Sequence, residues 1–271
     1  MVLILISGCT RGKNNGNDLP GEGTGGLVIE EAELSETKVR AGNDVILSFK
    51  AINTNDNPLR DLKIQLSNTG DIEVEKVSDT GSFCGGGSGD LGDELRGSVE
   101  GNPWPVECSW RLDTSNVGVS GQSDSIPVTI TASYNTSLEM PDWIRLFFEE
   151  ESSWEKNSTS FENDEISVIA SYYPEHRVDT ENVSIQFGVN DIGGGRLVKR
   201  GEDDNIVASL SFSGSFVDKF SLRECTAGLI CSFEKESNIE SKTYLSLKPV
   251  VDYSYTQDTT VPLKVFSKGL S

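Results

Sequence analysis

Apolar and polar residues alternate with a period of two along most of this chain. Val45, Leu47, Phe49 and Ala51 share one face of residues 45–51, and Leu62, Ile64 and Leu66 do the same a few positions on. Successive side chains of an extended strand point to opposite sides, so the alternation predicts half-buried strands rather than helices. Residues 28–32, 72–76, 106–112, 126–134 and 144–148 complete a first set of about seven strands. Pro127 has no amide hydrogen to give to a ladder and belongs at a strand start or on an edge. Turn-forming segments separate these strands, notably 54–58 and the glycine-rich 85–90.

The alternation lapses over residues 149–163, which read as a linker, and then returns. Residues 166–172, 183–189, 206–212, 216–222, 229–233, 244–255 and 263–266 form a second set of about seven strands. The two sets share landmarks about 120 residues apart. Cys108-Ser109-Trp110 matches Cys231-Ser232-Phe233, Ala132-Ser133-Tyr134 matches Val251-Asp252-Tyr253, and the closing strands 144–147 and 263–266 match in turn. Duplication is the simplest origin of such agreement. The expected fold is all-β, with two tandem immunoglobulin-like β-sandwich domains at 27–148 and 164–271 after a flexible N-terminal tether.

That tether, residues 10–26, is polar and rich in glycine, and has too little apolar surface to offset its ordering entropy. A Gly-rich coil of this length spans on the order of 20 Å. Before it stands Met1-Val2-Leu3-Ile4-Leu5-Ile6-Ser7-Gly8-Cys9. An apolar run ending in Ile6-Ser7-Gly8-Cys9 and followed at once by a polar segment resembles the lipobox of prokaryotic lipoproteins. The resemblance implies cleavage before Cys9 and a lipid on Cys9 that holds the protein to a membrane. The alternative is a buried strand over residues 2–6 with Cys9 as a core thiol.

A second resemblance lies in Val39-Arg40-Ala41-Gly42-Asn43-Asp44-Val45, then Asn53, then Leu59-Arg60-Asp61-Leu62-Lys63-Ile64. This succession is similar to the CARDB-type immunoglobulin-like modules of archaeal and bacterial surface proteins. It implies adhesion, spacing or assembly without catalysis, with other surface proteins or glycans, or a second copy of the chain, as partners.

Charge narrows the partners further. The chain holds 23 Lys and Arg against 43 Asp and Glu, a formal net charge of −20. Such a surface repels phosphate backbones, which excludes nucleic acid. No run approaches the roughly 18 apolar residues of a spanning helix, so membrane contact is expected only through the N-terminus.

The five cysteines divide into Cys9 alone, Cys84 with Cys108, and Cys225 with Cys231. Paired cysteines suit an oxidising, extracytoplasmic compartment. The second pair would staple a tight hairpin, and the first would close a glycine-rich excursion; four free buried thiols are the alternative. The spacing is not that of a zinc site, and His176 is the sole histidine.

Little in the chain points to catalysis. His176 sits in Tyr173-Pro174-Glu175-His176-Arg177, read as a solvated turn. Abundant carboxylates make any acid pair uninformative, and neither an enzymatic activity nor a cofactor is expected. Asp90, Asp93 and Glu94, and Glu202, Asp203 and Asp204, supply loop oxygens of the kind calcium takes but lack EF-hand spacing; solvated loop charge is the plainer reading. Asn135, Asn157 and Asn182 head Asn-x-Ser/Thr glycosylation triplets, at about the number chance supplies. Trp143 shortly before the expected linker and Trp154 within it serve as a binding patch or as packing at a joint.

The sequence therefore points to a non-catalytic, membrane-tethered surface protein used for adhesion, scaffolding or envelope interaction. Two rival classes stand beside it. One is a subunit of a filament or surface layer, in which a strand such as 27–34 completes a neighbour's sheet. The other is an accessory or carbohydrate-binding module.

Overall fold

The computed structural model describes residues 26–55, 57–80, 82–85, 94–97, 105–151, 155–198, 207–226, 229–240 and 242–268. Cys9 and nearly all of the expected tether lie outside them. Among the described residues there is no helix. The first half contributes β1 (Leu27–Leu34), β2 (Lys38–Arg40), β3 (Asp44–Asn53), β4 (Arg60–Ser67), β5 (Glu73–Asp79), β6 (Cys84–Gly85), β7 (Pro105–Asp113), β8 (Ser123–Glu139) and β9 (Ile144–Glu149). The second contributes β10 (Asn157–Glu162), β11 (Ile166–Tyr172), β12 (Glu175–Arg177), β13 (Asn182–Asp191), β14 (Arg196–Leu197), β15 (Val207–Ser213), β16 (Phe220–Cys225), β17 (Ile230–Lys235) and β18 (Thr243–Phe266).

These strands make three sheets. Two are small, in the orders β1-β3-β7-β5 and β10-β11-β13-β17-β16. The third runs β12-β9-β18-β8-β4-β6, with β2, β14 and β15 also paired to β18. Its spine is an antiparallel ribbon in which β8 follows β18 from Glu139↔Val250 to Ser123↔Phe266. β9 continues along the same edge, from Ile144↔Leu247 to Phe148↔Thr243. Between them, residues 140–143 stand opposite only Lys248 and Pro249, an even excess that leaves the side-chain alternation in phase.

That phase places both cores on one face. On β18, Leu245, Leu247, Val251, Tyr253, Tyr255, Leu263 and Val265 are all buried, and all are odd-numbered. The β1-β3-β7-β5 sheet covers one end of this face with Val45, Leu47, Phe49, Val106, Trp110 and Leu112. The other small sheet covers the opposite end with Ile166, Val168, Val183, Ile185, Phe187 and Phe233.

Each end is a sandwich with immunoglobulin-like strand order, the four-stranded β1-β3-β7-β5 layer facing one end of the large sheet and the five-stranded β10-β11-β13-β17-β16 layer facing the other. The closing strands, however, are exchanged. β2 pairs in parallel with Lys264, Val265 and Phe266 at the end of β18, so the first sandwich is closed by the second half of the chain. β12 pairs in parallel with Phe147, Phe148 and Glu149 on β9, so the second sandwich is closed by the first half. This corrects the expectation that residues 144–147 and 263–266 each close their own domain. Alternation reports the face of a strand and says nothing of its partner. The stretch between the expected strands 244–255 and 263–266 offers no Gly or Asn for a hairpin, and its β-formers Thr256, Thr259, Thr260 and Val261 outnumber Asp258 and Pro262, so the strand runs on.

Three further expectations are corrected. The presumed linker 149–163 contains β10, which pairs with β11 from Asn157↔Tyr172 to Glu162↔Ser167 and buries Phe161. Its serine-rich sequence hid an alternation carried by Thr159 and Phe161. Residues 214–219 form a turn, and the strand expected at 216 begins at Phe220. His176 lies on β12 opposite Phe148, half-buried, because its strand lies against the exchanged β9.

Candidate functional site

The most unusual chemistry lies where the two sandwiches meet. Asn163 follows β10, and its Oδ1 accepts from the backbone amides of Glu165 (3.0 Å) and Ile166 (2.8 Å). This side-chain turn leads into β11 and leaves the Glu165 carboxylate pointing inward, 4% exposed. The hydroxyl of Tyr253 donates to Glu165 Oε2 at 2.5 Å and accepts from Asn163 Nδ2 at 2.7 Å. The hydroxyl of Tyr134 donates to the other carboxylate oxygen. Tyr255, opposite Tyr134 in the ladder with rings 6.1 Å apart, accepts from the Gly195 amide at 3.0 Å and donates to Asp191 Oδ1 at 3.3 Å.

The backbone closes tightly around this group. Gly26 has φ 111°, and a Cβ there would lie 2.5 Å from Glu165 Oε1. At Gly193 a Cβ would collide with the Tyr255 hydroxyl. A cleft of about 280 Å³ lined by Leu27, Tyr134, Glu165, Tyr255 and Gln257 opens beside the cluster.

Burial, above all, raises the Glu165 carboxyl above its ordinary range, against the opposing pull of the two tyrosine hydroxyls. Burial and then the nearby Glu165 charge push the Tyr134 and Tyr253 phenols well up. Tyr255 is pushed up to about 12, mainly by burial. The cluster contains acidic, phenolic and amide groups, with no histidine, lysine or thiol among the described residues that bond to Glu165. Its geometry joins β8 and β18 to the β10–β11 turn through one carboxylate.

The residues singled out from the sequence are dispersed rather than gathered at this cluster. Cys84 and Cys108 are bonded, as are Cys225 and Cys231. The first bond runs from β6 in the large sheet to β7 in a small one, tying the layers of the first sandwich together. The second links residues directly opposite each other in the β16–β17 hairpin. Asn135 is engaged, donating to Asp61 Oδ2 (2.6 Å) and accepting from Ser254 Oγ (2.6 Å). Asn157 and Asn182 are exposed at the starts of β10 and β13. Trp143 is 44% exposed, with the Lys248 ammonium 5.8 Å from its ring centre. Glu94 is exposed, while Asp90, Asp93, Glu202, Asp203, Asp204 and Trp154 lie outside the described residues.

His176 is not the solvated residue expected. Its ring stacks on Phe148 at 5.4 Å and its Nε2 has no partner among the described residues. Burial holds its pKa below the ordinary value. Sequence reasoning missed Glu165, which nothing distinguishes among 43 acidic residues. The available signal was the repeated tyrosine: Tyr134 and Tyr253, matched between the two halves, are the two that bind it.

Fold and site together define an all-β protein of immunoglobulin-like β-sandwich architecture, stapled by two disulfides. No family model matches the chain, and no curated protein matches it either. Among solved structures it is similar to the collagen adhesin CNA from S. aureus, at 7% identity over 91% of this chain and 94% of that one, with a TM-score of 0.20. A likeness of that size carries no argument, and the architecture stands on the strand order described above.

Proposed function

We propose that this chain is a non-catalytic, extracytoplasmic module for adhesion or scaffolding, held to a membrane through a lipid on Cys9. The observation that carries the reading is the pair of disulfides, which persist in oxidising compartments and are rare in the cytosol. The sharing of strands supports a scaffold role, since two sandwiches built on one ribbon hold a fixed spacing. In cells that export the chain, a labelled lipid precursor should mark the wild type and not Cys9→Ala, and the variant should move to the medium. A chain that stays in the cytoplasm with reduced cysteines would sink this reading.

A carbohydrate-binding role is the second reading, favoured by one surface. Trp143, Phe147 and Tyr244 are exposed on the outer face of the large sheet, and the rings of Phe147 and Tyr244 lie 6.3 Å apart. Flat aromatic faces flanked by Arg145, Ser246 and Lys248 suit the apolar faces and hydroxyls of sugars. Glycan-array binding that is lost in Trp143→Ala and Tyr244→Ala would favour it; an array without signal would remove it.

A further inference from the structure

An unpaired sheet edge invites another strand, and proteins blunt their edges with charge, bulges or brevity. This chain does so on eight of its outermost strands. β1 carries Glu30, Glu31 and Glu33 and is bulged between Ile29 and Glu31. β5 carries Glu73, Glu75, Lys76 and Asp79 and is bulged between Lys76 and Ser78. β16 carries Arg223 and Glu224 with a bulge between Leu222 and Glu224, and β15 is bulged between Val207 and Ser209. β2, β6, β12 and β14 are only two or three residues long.

β10 has no bulge, and its one charge is at its last residue, Glu162. Its six residues pair with β11 in unbroken register, its first five are uncharged, and its other edge has no strand among the described residues. It is also complementary to itself. Phe161 and Thr159 face the core and the even-numbered residues face out, so an antiparallel two-fold pairing must set residues of equal parity opposite each other. Centred on Thr159, that pairing puts Ser158 opposite Ser160 and the exposed Lys156 of each copy opposite the exposed Glu162 of the other. The same operation on β1 sets glutamates among glutamates.

We propose that β10 is a strand-addition edge through which two copies of this chain pair, joining their five-stranded sheets into one sheet of ten strands. The occupant is a second copy because the charges are complementary under the two-fold axis. Pairing needs neither the lipid on Cys9 nor a ligand, so it stands or falls apart from the function proposed above.

The test is a charge swap read by sedimentation velocity at about 0.15 M salt, where the repulsion between two chains of charge −20 is screened beyond about 8 Å. The wild type should dimerise. Lys156→Glu and Glu162→Lys should each weaken the dimer by about tenfold or more, because two cross-strand attractions become repulsions. The double variant should recover to within about threefold of the wild type, with thermal melts confirming that all four proteins fold. A wild type that stays monomeric at several hundred micromolar would overturn the proposal. So would a dimer indifferent to both single changes, or one that the double variant fails to restore.

Discussion

The two sandwiches solve the same packing problem with different materials. In the first, the Cys84–Cys108 bond crosses from one layer to the other, and Trp110, two residues along β7, is fully buried beside it. In the second, the disulfide stays within a single hairpin, and phenylalanines fill the space between layers. Phe216 stacks on Phe220 at 4.6 Å, while Phe233 meets Phe216 and Phe212 edge-on, each at 5.0 Å. Matched cysteines at 108 and 231 thus have unequal work: one ties layers, the other ties neighbours. Matched positions can keep the same residue while its bonding partner lies elsewhere in the fold.

The largest expected effect probes what the halves share rather than how they differ. Ending the chain after Thr256 removes the closing strand of the first sandwich and leaves most of the second. Amides of β3 and β7 should lose hydrogen-exchange protection, while those of β13 and β17 keep it. Persistent protection in β3 and β7 would refute the exchange of strands.

Within the second sandwich, Phe233→Ala should cost about 4 kcal/mol in a denaturant melt, because its ring joins two others in a sealed core. Replacing both Cys84 and Cys108 by Ala should cost about 3.5 kcal/mol, against about 2 kcal/mol for Cys225 and Cys231, since the first closes the longer loop. Equal losses would mean that loop length does not set the difference between the two bonds.

The smallest effects are pH slopes of opposite sign. The folded state raises the Glu165 carboxyl above its ordinary value of 4.5, so stability from this group is greatest below that pH and falls as pH rises through the folded value. Glu165→Gln should remove this fall. His176 is shifted below 6.5, so its contribution is complete above 6.5 and is lost as pH drops toward the folded value. His176→Gln should flatten the acid limb. Melts across roughly pH 4 to 8, the range these groups span, would read both slopes.

Much of this architecture was legible in the sequence. The period-two runs marked most strands, and the cysteine spacing marked both disulfides. What escaped was connection. The straight passage of β18 from one sandwich into the other depends on the lack of a Gly or Asn between Thr256 and Val261, a stretch that reads as a gap between two strands unless its β-forming residues are weighed against Asp258. β10 escaped because its outward positions are serines, which resemble a loop. Glu165 escaped because a buried carboxylate is defined by its neighbours, and Tyr134, Tyr253 and Asn163 come together around it only in three dimensions.

The exchanged closing strands also set a timetable for biosynthesis. A protein made from its N-terminus has β1 to β8 in hand long before Leu263 and Val265 emerge, yet β2 has no partner in its sheet until they do. The first sandwich must wait, open-edged, for more than a hundred further residues to be synthesised. Such long-range pairing predicts slow maturation, with the finished β8–β18 ribbon as the last step that seals both halves together.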